Sequence, residues 1–451
     1  MLSSVYGPWT LFTDLGIIFA LLLAGKLIRV KVKFIQKLFI PPSLIAGFLG
    51  LALGPNGFGL LPFSGQLGTY AGILIALVFA ALPLSSPKFS FKEVAGRVGP
   101  IWAYAQLGML IQWAVMGLFG LFVLNFIWPQ LNPAFGVMLP TGFYGGHGTA
   151  AAIGSAFEGL GWDEAKSLGM TTATTGVVVA IILGLIMVKW AAARGETKFI
   201  KDFSDLPDDL RTGLIPVEKR ESAGQVTTSS ISIDSLAFHL AFVFVVALIG
   251  YLLSQGVKYY YPKLEIPVFS ASFIVGLIFK KIFDATKVSD YICPNQTSRL
   301  SSTFTDLLVA CGVASIQLSV VVKYAVPLII LILTGIAVVW LITFYLGRRL
   351  CKTYWFERSI FAWGWWTGTM AMGIALIRIV DPKMESKAMD DYALAYLPIA
   401  PVEILLITFV PVMFASGLGA WILLAALVAS VFIIILAKRM GWWISPAKTK
   451  A

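Results

Sequence analysis

From Ile101 to Phe157 the chain carries no Asp, Glu, Lys or Arg, and inside that run stands the stretch Thr141 to Gly154, TGFYGGHGTAAAIG. So long an uncharged segment belongs in lipid rather than water. A glycine-rich backbone at that depth is tolerated only where protein or a wet cavity satisfies its N–H and C=O groups. The whole chain agrees with the segment: 451 residues, 58% hydrophobic, 13% charged, mean hydropathy +0.85. That is too little polar surface for a soluble protein, and the composition reads as a polytopic membrane protein.

Apolar stretches near the ~20-residue bilayer length fall at about 11 to 29, 40 to 54 (short), 68 to 86, 100 to 128 and 167 to 189. A second set lies at about 235 to 255, 266 to 282, 302 to 320, 325 to 347, 392 to 415 and 417 to 437. Two more apolar pieces, about 134 to 157 and 359 to 378, are full of glycine and read as re-entrant hairpins. With the N-terminus outside and neither hairpin crossing, thirty of the 34 Lys and Arg fall on the cytoplasmic side, leaving Lys166, Lys258, Lys263 and Lys323 outside. Letting one hairpin span would invert every loop after it and destroy that asymmetry. The C-terminus is then cytoplasmic, and the expected location is a bacterial inner membrane. The net charge of +11 is accounted for by topology and needs no nucleic-acid partner. Nothing basic precedes Lys26 and no small-residue cleavage site follows a short apolar run, so no secretory signal is expected. Cys293, Cys311 and Cys351 form no metal motif or disulfide framework and read as packing residues.

Residues 194 to 234 mix basic and acidic groups with prolines and a Thr/Ser run, which reads as a cytoplasmic linker. It divides two halves that resemble each other: IPPSLIAGFLG from Ile40 answers IPVFSASFIVG from Ile266, and HGTAAAIG from His147 answers TGTMAMGI from Thr367, at offsets of about 220 to 226. An odd number of spans per repeat turns the second copy upside down. The expected fold is all-α, with two inverted repeats of about five spans (1–193 and 235–416), each with a hairpin, and an additional helix and tail at 417–451. Hairpins entering from opposite faces would bring their tips together near the midplane. Broken helices there offer unpaired N–H groups at one end and carbonyls at the other.

GGHGTAAA at 145 to 152, TTATTG at 171 to 176, GTMA at 368 to 371 and YLPIAP at 396 to 401 resemble the bacterial glutamate:sodium symporters, over about residues 10 to 416. The resemblance implies secondary uptake of glutamate or a similar small carboxylate with sodium, a homodimer, and an elevator-like movement of the hairpin-bearing part. It points to Gly145, Gly146, His147, Gly148 and Thr149 in the first hairpin and Thr367, Gly368 and Thr369 in the second as substrate contacts. The second hairpin departs from the family in being rich in tryptophan: Trp363, Trp365 and Trp366. The final span is also one more than the family's usual ending.

For sodium, a hard cation, the residues offer three oxygen sources. Thr171, Thr174 and Thr175, at i, i+3 and i+4, share one helix face, although threonines in membrane helices also bond back to their own backbone. Pro398 and Pro401 remove two N–H donors and so free the carbonyls of Leu394 and Leu397, or simply kink the helix. Glu403 is the only charged residue from 392 to 437 and is costly in lipid unless it binds a cation, titrates or pairs with a polar group. His147 either contacts substrate or makes a structural hydrogen bond. Asp306 and Gln317 in the eighth span are weaker candidates, and Arg378 at a hairpin end reads as snorkelling. No cofactor and no metal other than sodium is expected.

Two other carriers of function remain on the sequence: an exchange or sodium-coupled carrier for a different anion, and a channel, which inverted repeats with paired hairpins suit less well. An enzyme is disfavoured, because His147 and His239 are the only histidines and no G-x-S-x-G, H-E-x-x-H or Walker motif occurs.

Overall fold

The computed structural model describes residues 6–37, 40–85, 91–199, 212–220, 222–229, 231–260, 268–381 and 385–444. Linker residues 200–211, 221 and 230, and Lys263, lie outside these, as do the side chains of Arg378 and Leu397. Among the described residues all regular structure is helical. Eight helices are long and apolar enough to cross a bilayer: Pro8–Lys31, Leu67–Ser85, Val98–Ile127, Ala165–Ala193, Ser235–Tyr260, Ala325–Leu350, Pro398–Ala415 and Gly419–Arg439. The chain is an integral multi-pass membrane protein. Pro42–Leu53 is apolar but short, as expected.

Helix order recurs across the linker. Pro8–Lys31, Pro42–Leu53, Leu67–Ser85 and Phe91–Leu118 are followed by a broken pair, Met138–Phe143 and Gly146–Gly159, and by Ala165–Ala193. Ser235–Tyr260, Val268–Thr286, Pro294–Ala314 and Ala325–Leu350 are likewise followed by Trp355–Thr367 and Met370–Val380, then Ala388–Ala415. Gly419–Arg439 is the additional helix. One boundary differs from the sequence reading. The expected span 302 to 320 is a helix from Pro294 to Ala314 that ends at Ser315, after which Gln317 is extended and opens a separate short helix, Leu318–Lys323. Pro294 at the helix start sets this frame earlier than hydropathy does, because proline's fixed φ and missing N–H suit a first helical turn. Gln317 therefore lies outside the span.

The chain divides into two compact units. The first gathers the first three helices of each half, residues 1–27, 41–88 and 215–316. In it Asp14 is fully buried yet paired, accepting hydrogen bonds from the Ser64 backbone and hydroxyl and from the Tyr70 hydroxyl. His239 is equally structural: its Nε2 accepts from the Cys293 backbone N–H at 2.7 Å, and Nδ1 lies 2.6 Å from the Ser235 carbonyl. The second unit, residues 28–40, 89–214 and 317–451, holds both broken pairs and the helices that carry them. The additional helix Gly419–Arg439 packs within this unit on Phe91–Leu118, where Gly117 faces Leu423. All three cysteines are free and buried.

Candidate functional site

Helix Ala165–Ala193 organises the second unit. Read from its start, Lys166 faces Gly154, Gly169 faces Ala150, and the Thr172 hydroxyl donates to the Met138 carbonyl at 2.8 Å. The arm Gly146–Gly159 thus runs against this helix and the arm Met138–Phe143 runs with it, so the chain reverses between them. Further along, Gly176 faces the Thr367 carbonyl, the Trp363 indole donates to the Ala180 carbonyl at 3.1 Å, and Gly184 faces Leu376. Here the arm Trp355–Thr367 runs against the helix and Met370–Val380 runs with it. The two hairpins therefore approach from opposite ends of one helix. From Lys166 to Gly184 the helix rises about 27 Å at ~1.5 Å per residue, close to the ~30 Å hydrocarbon thickness of a bilayer.

The tips meet. At the first, Gly145 donates to the Pro140 carbonyl and Gly146 takes φ +63°, a left-handed conformation that ends one helix and lets the next begin at once. A Cβ placed on Gly146 would lie 3.0 Å from the Thr369 methyl and 3.2 Å from the Gly368 carbonyl oxygen. At the second tip Gly368 and Thr369 are non-helical, and Met370 starts the next helix. Two helix N-termini, one opening at Gly146 and one at Met370, thus stand at one place, each with the unpaired N–H groups and partial positive charge of a first turn. Within the second hairpin the arms touch at Gly364 and Gly373, whose backbones approach too closely for a side chain at either position.

Gly145, Gly146, His147, Gly148 and Thr149 lie at the first tip, and Thr367, Gly368 and Thr369 at the second. His147 is buried, and its Nε2 lies 3.0 Å from the Thr174 hydroxyl, so the imidazole ties the first hairpin to the long helix. Thr171 and Thr175 donate to the carbonyls of Ser167 and Thr171, at 2.6 and 2.8 Å. Their protons are used within the helix, and their oxygens keep acceptor lone pairs. The Thr367 hydroxyl likewise donates to the Trp363 carbonyl. Ala388–Ala415 stays helical through Pro398, Pro401 and Pro411, and Pro398 and Pro401 deprive the carbonyls of Leu394 and Leu397 of their usual donors four residues on. This helix packs on one arm of each hairpin, Gly146–Gly159 and Trp355–Thr367. Glu403 is buried and accepts a hydrogen bond from the Tyr396 hydroxyl at 3.0 Å. Asp306 belongs to the first unit, where it lines a cavity of about 300 Å³ with Lys26, Ser43 and Thr303.

Sequence reasoning missed Thr172 and Gly176, which seat the two tips, and the glutamines Gln106 and Gln112. Both glutamine amides are buried with neither amide atom hydrogen-bonded among the described residues. Two polar amides inside a charge-free run were the available signal. Among the described residues no group of three or more His, Cys, Asp or Glu converges as a metal site. The base of the second hairpin is pinned by the ion pair of Arg358 and Asp391 at 2.7 Å, by Tyr392 donating to the Arg358 carbonyl, and by the Lys198 N–H donating to Glu357.

The sodium/glutamate symporter family model matches residues 10–355. The chain belongs to that family. Its members are transporters, not enzymes, and sodium is the coupling ion the family implies. The match takes in the first hairpin and the Ala165–Ala193 helix, and stops where the second hairpin begins. No curated protein matches the chain significantly. Among solved structures, the sodium proton antiporter MjNhaP1 from Methanocaldococcus jannaschii at pH 8 is 17% identical, covering 95% of this chain and 98% of that one at a TM-score of 0.38.

Proposed function

We propose that this transporter carries glutamate or a close small carboxylate into the cell together with sodium, by alternating access in which the hairpin-bearing unit moves as an elevator and the chain works as a homodimer. The observation that carries the reading is the meeting of Gly146 with Gly368 and Thr369 between two helix N-termini. Bare amides and a positive half-dipole from each side suit a carboxylate at that point. The two hairpins are re-entrant, one from each membrane face, and the two halves are inverted copies. Support comes from their opposite approach along Ala165–Ala193 and from the repeated helix order. Sodium is held by oxygens on the two helices that flank the hairpins: the threonine face Thr171, Thr174 and Thr175, and the freed carbonyls of Leu394 and Leu397.

A membrane potential of 100 mV, negative inside, opposes entry of a monovalent anion by about 2.3 kcal/mol. One sodium only cancels that charge. A carrier that draws on voltage as well as the sodium gradient needs at least two sodium ions per acidic amino acid, which matches two oxygen-bearing helices. Uptake of labelled glutamate into proteoliposomes tests this. The expected result is saturable uptake that requires an inward sodium gradient and is accelerated by a negative-inside potassium diffusion potential. Uptake indifferent to sodium overturns the coupling. Sodium-dependent but electrically silent uptake overturns the stoichiometry.

A further inference from the structure

The additional helix Gly419–Arg439 lies beyond the matched residues 10–355, and the chain after it folds back onto the end of Ala325–Leu350. Gly441, at φ +69°, turns the chain once the helix has ended. Trp442 then packs on Gly99, where a Cβ would collide with its ring, and the Ile444 N–H donates to the Arg349 carbonyl at 2.8 Å. That fastening sets Trp443 beside two cations from two different helices. The Arg349 guanidinium lies 5.9 Å from the centroid of the Trp443 ring and 5.1 Å from that of Tyr345. The Lys438 ammonium lies 5.4 Å from the Trp443 centroid.

Neither charge is matched. Arg348, one residue away, meets Glu196 at 3.2 Å, but Arg349 and Lys438 pair with no acid among the described residues. No Asp or Glu occurs in Ala325–Leu350 or in residues 417–451. The indole holds both cations in place and leaves their charge and their N–H donors unspent. Each cation stands in the last turn of a helix long and apolar enough to cross a bilayer, and so at the membrane surface. The turns before them are apolar and exposed: Leu341 and Tyr345 share a helix face with Arg349, and Val431 and Ile435 share one with Lys438. We infer that Arg349 and Lys438, held on Trp443, bind the phosphate of an anionic phospholipid whose acyl chains lie along these two apolar columns. A guanidinium fork and an ammonium suit phosphate oxygens. A zwitterionic headgroup would bring its own ammonium to a place with no acid to receive it, and a free phosphate would leave the columns uncovered. One lipid on both cations ties the additional helix to the helix that leads into the second hairpin, whatever anion the hairpins carry.

Lipid binding to the purified full chain, read by native mass spectrometry, tests this with phosphatidylglycerol, phosphatidylethanolamine and water-soluble glycerol phosphate as probes. The wild type is expected to bind phosphatidylglycerol tighter than phosphatidylethanolamine by on the order of tenfold, and glycerol phosphate is expected not to displace it. Arg349→Gln and Lys438→Gln are each expected to weaken phosphatidylglycerol roughly fivefold. Neither side chain donates a hydrogen bond among the described residues, so both variants fold. Lys323→Gln removes one positive charge near the opposite end of the same long helix and is expected to leave the lipid affinity unchanged. The wild type alone gives a second reading: added salt is expected to weaken phosphatidylglycerol and to spare phosphatidylethanolamine. Equal binding of the two lipids overturns the inference, as does wild-type affinity in Arg349→Gln and Lys438→Gln or an equal loss in Lys323→Gln. Displacement by glycerol phosphate overturns the lipid as occupant, and indifference to salt overturns the role of the two cations.

Discussion

Gly176 shows how a single atom decides the site's geometry. Replacing a glycine inside a helix by alanine ordinarily gains up to ~1 kcal/mol, but a Cβ at Gly176 would run into the Thr367 carbonyl oxygen. Overpacking of roughly 1–3 kcal/mol outweighs that gain. Gly176→Ala is therefore expected to lower the thermal midpoint and abolish uptake, and an unchanged or raised midpoint would show that the second tip does not rest there. Thr174→Val leaves the buried His147 without its partner, at a cost of ~1–3 kcal/mol, measured by the shift in thermal unfolding. The need for glycine at 146 was readable from GGHGT, because a left-handed turn at the start of a helix has few other solutions. Gly176 was hidden as the last letter of TTATTG. Which face of that helix meets the second hairpin depends on residues nearly two hundred positions away, and no local periodicity encodes it. Glu403 stood out as a lone charge in an apolar run.

At the scale of elements, each hairpin is only as well placed as its base. Arg358 and Asp391 are both largely buried and in contact, and removing one partner of such a pair costs about 3–5 kcal/mol because the other is left charged and unmatched. Asp391→Ala is expected to raise hydrogen exchange across Trp355–Thr367 more than across Gly146–Gly159, and uniform exchange would contradict a local role. The first hairpin's loop has a milder fastening at Glu164, which accepts hydrogen bonds from Lys323 and Tyr324. Lys323 holds the Glu164 carboxyl below its ordinary value of 4.5. A depressed carboxylate stabilises the fold fully above that ordinary value and loses the contribution as pH falls through the lowered one. The difference in thermal midpoint between wild type and Glu164→Gln is thus expected at neutral pH and to vanish in stronger acid. The stretches expected at 40 to 54, 266 to 282 and 302 to 320 are the helices Pro42–Leu53, Val268–Thr286 and Pro294–Ala314, which are not among the eight long and apolar enough to cross. Those eight spans were legible because apolar length is set by the bilayer. The break at Ser315 to Gln317 was not, since the apolar run continues across it and only backbone direction changes.

Across the whole molecule, the chain sorts its helices by their order within each half: the first three of each half form one unit, and the fourth, the broken pair and the fifth of each half form the other. Short matches between the halves raised the expectation of a repeat but gave no sign of this sorting, which arises from contacts between halves. Nor did the sequence reveal that one helix, Ala165–Ala193, receives both hairpins. In the proposed function the two tips meet around a small carboxylate whose binding needs sodium. The most direct measurement places a single thiol there: Thr369→Cys in a chain whose Cys293, Cys311 and Cys351 are serine, with the rate of labelling by a water-soluble maleimide followed in proteoliposomes. Glutamate with sodium is predicted to slow labelling severalfold, and neither alone to do so. Labelling unaffected by the pair, or possible only with a lipid-soluble reagent, would contradict the account.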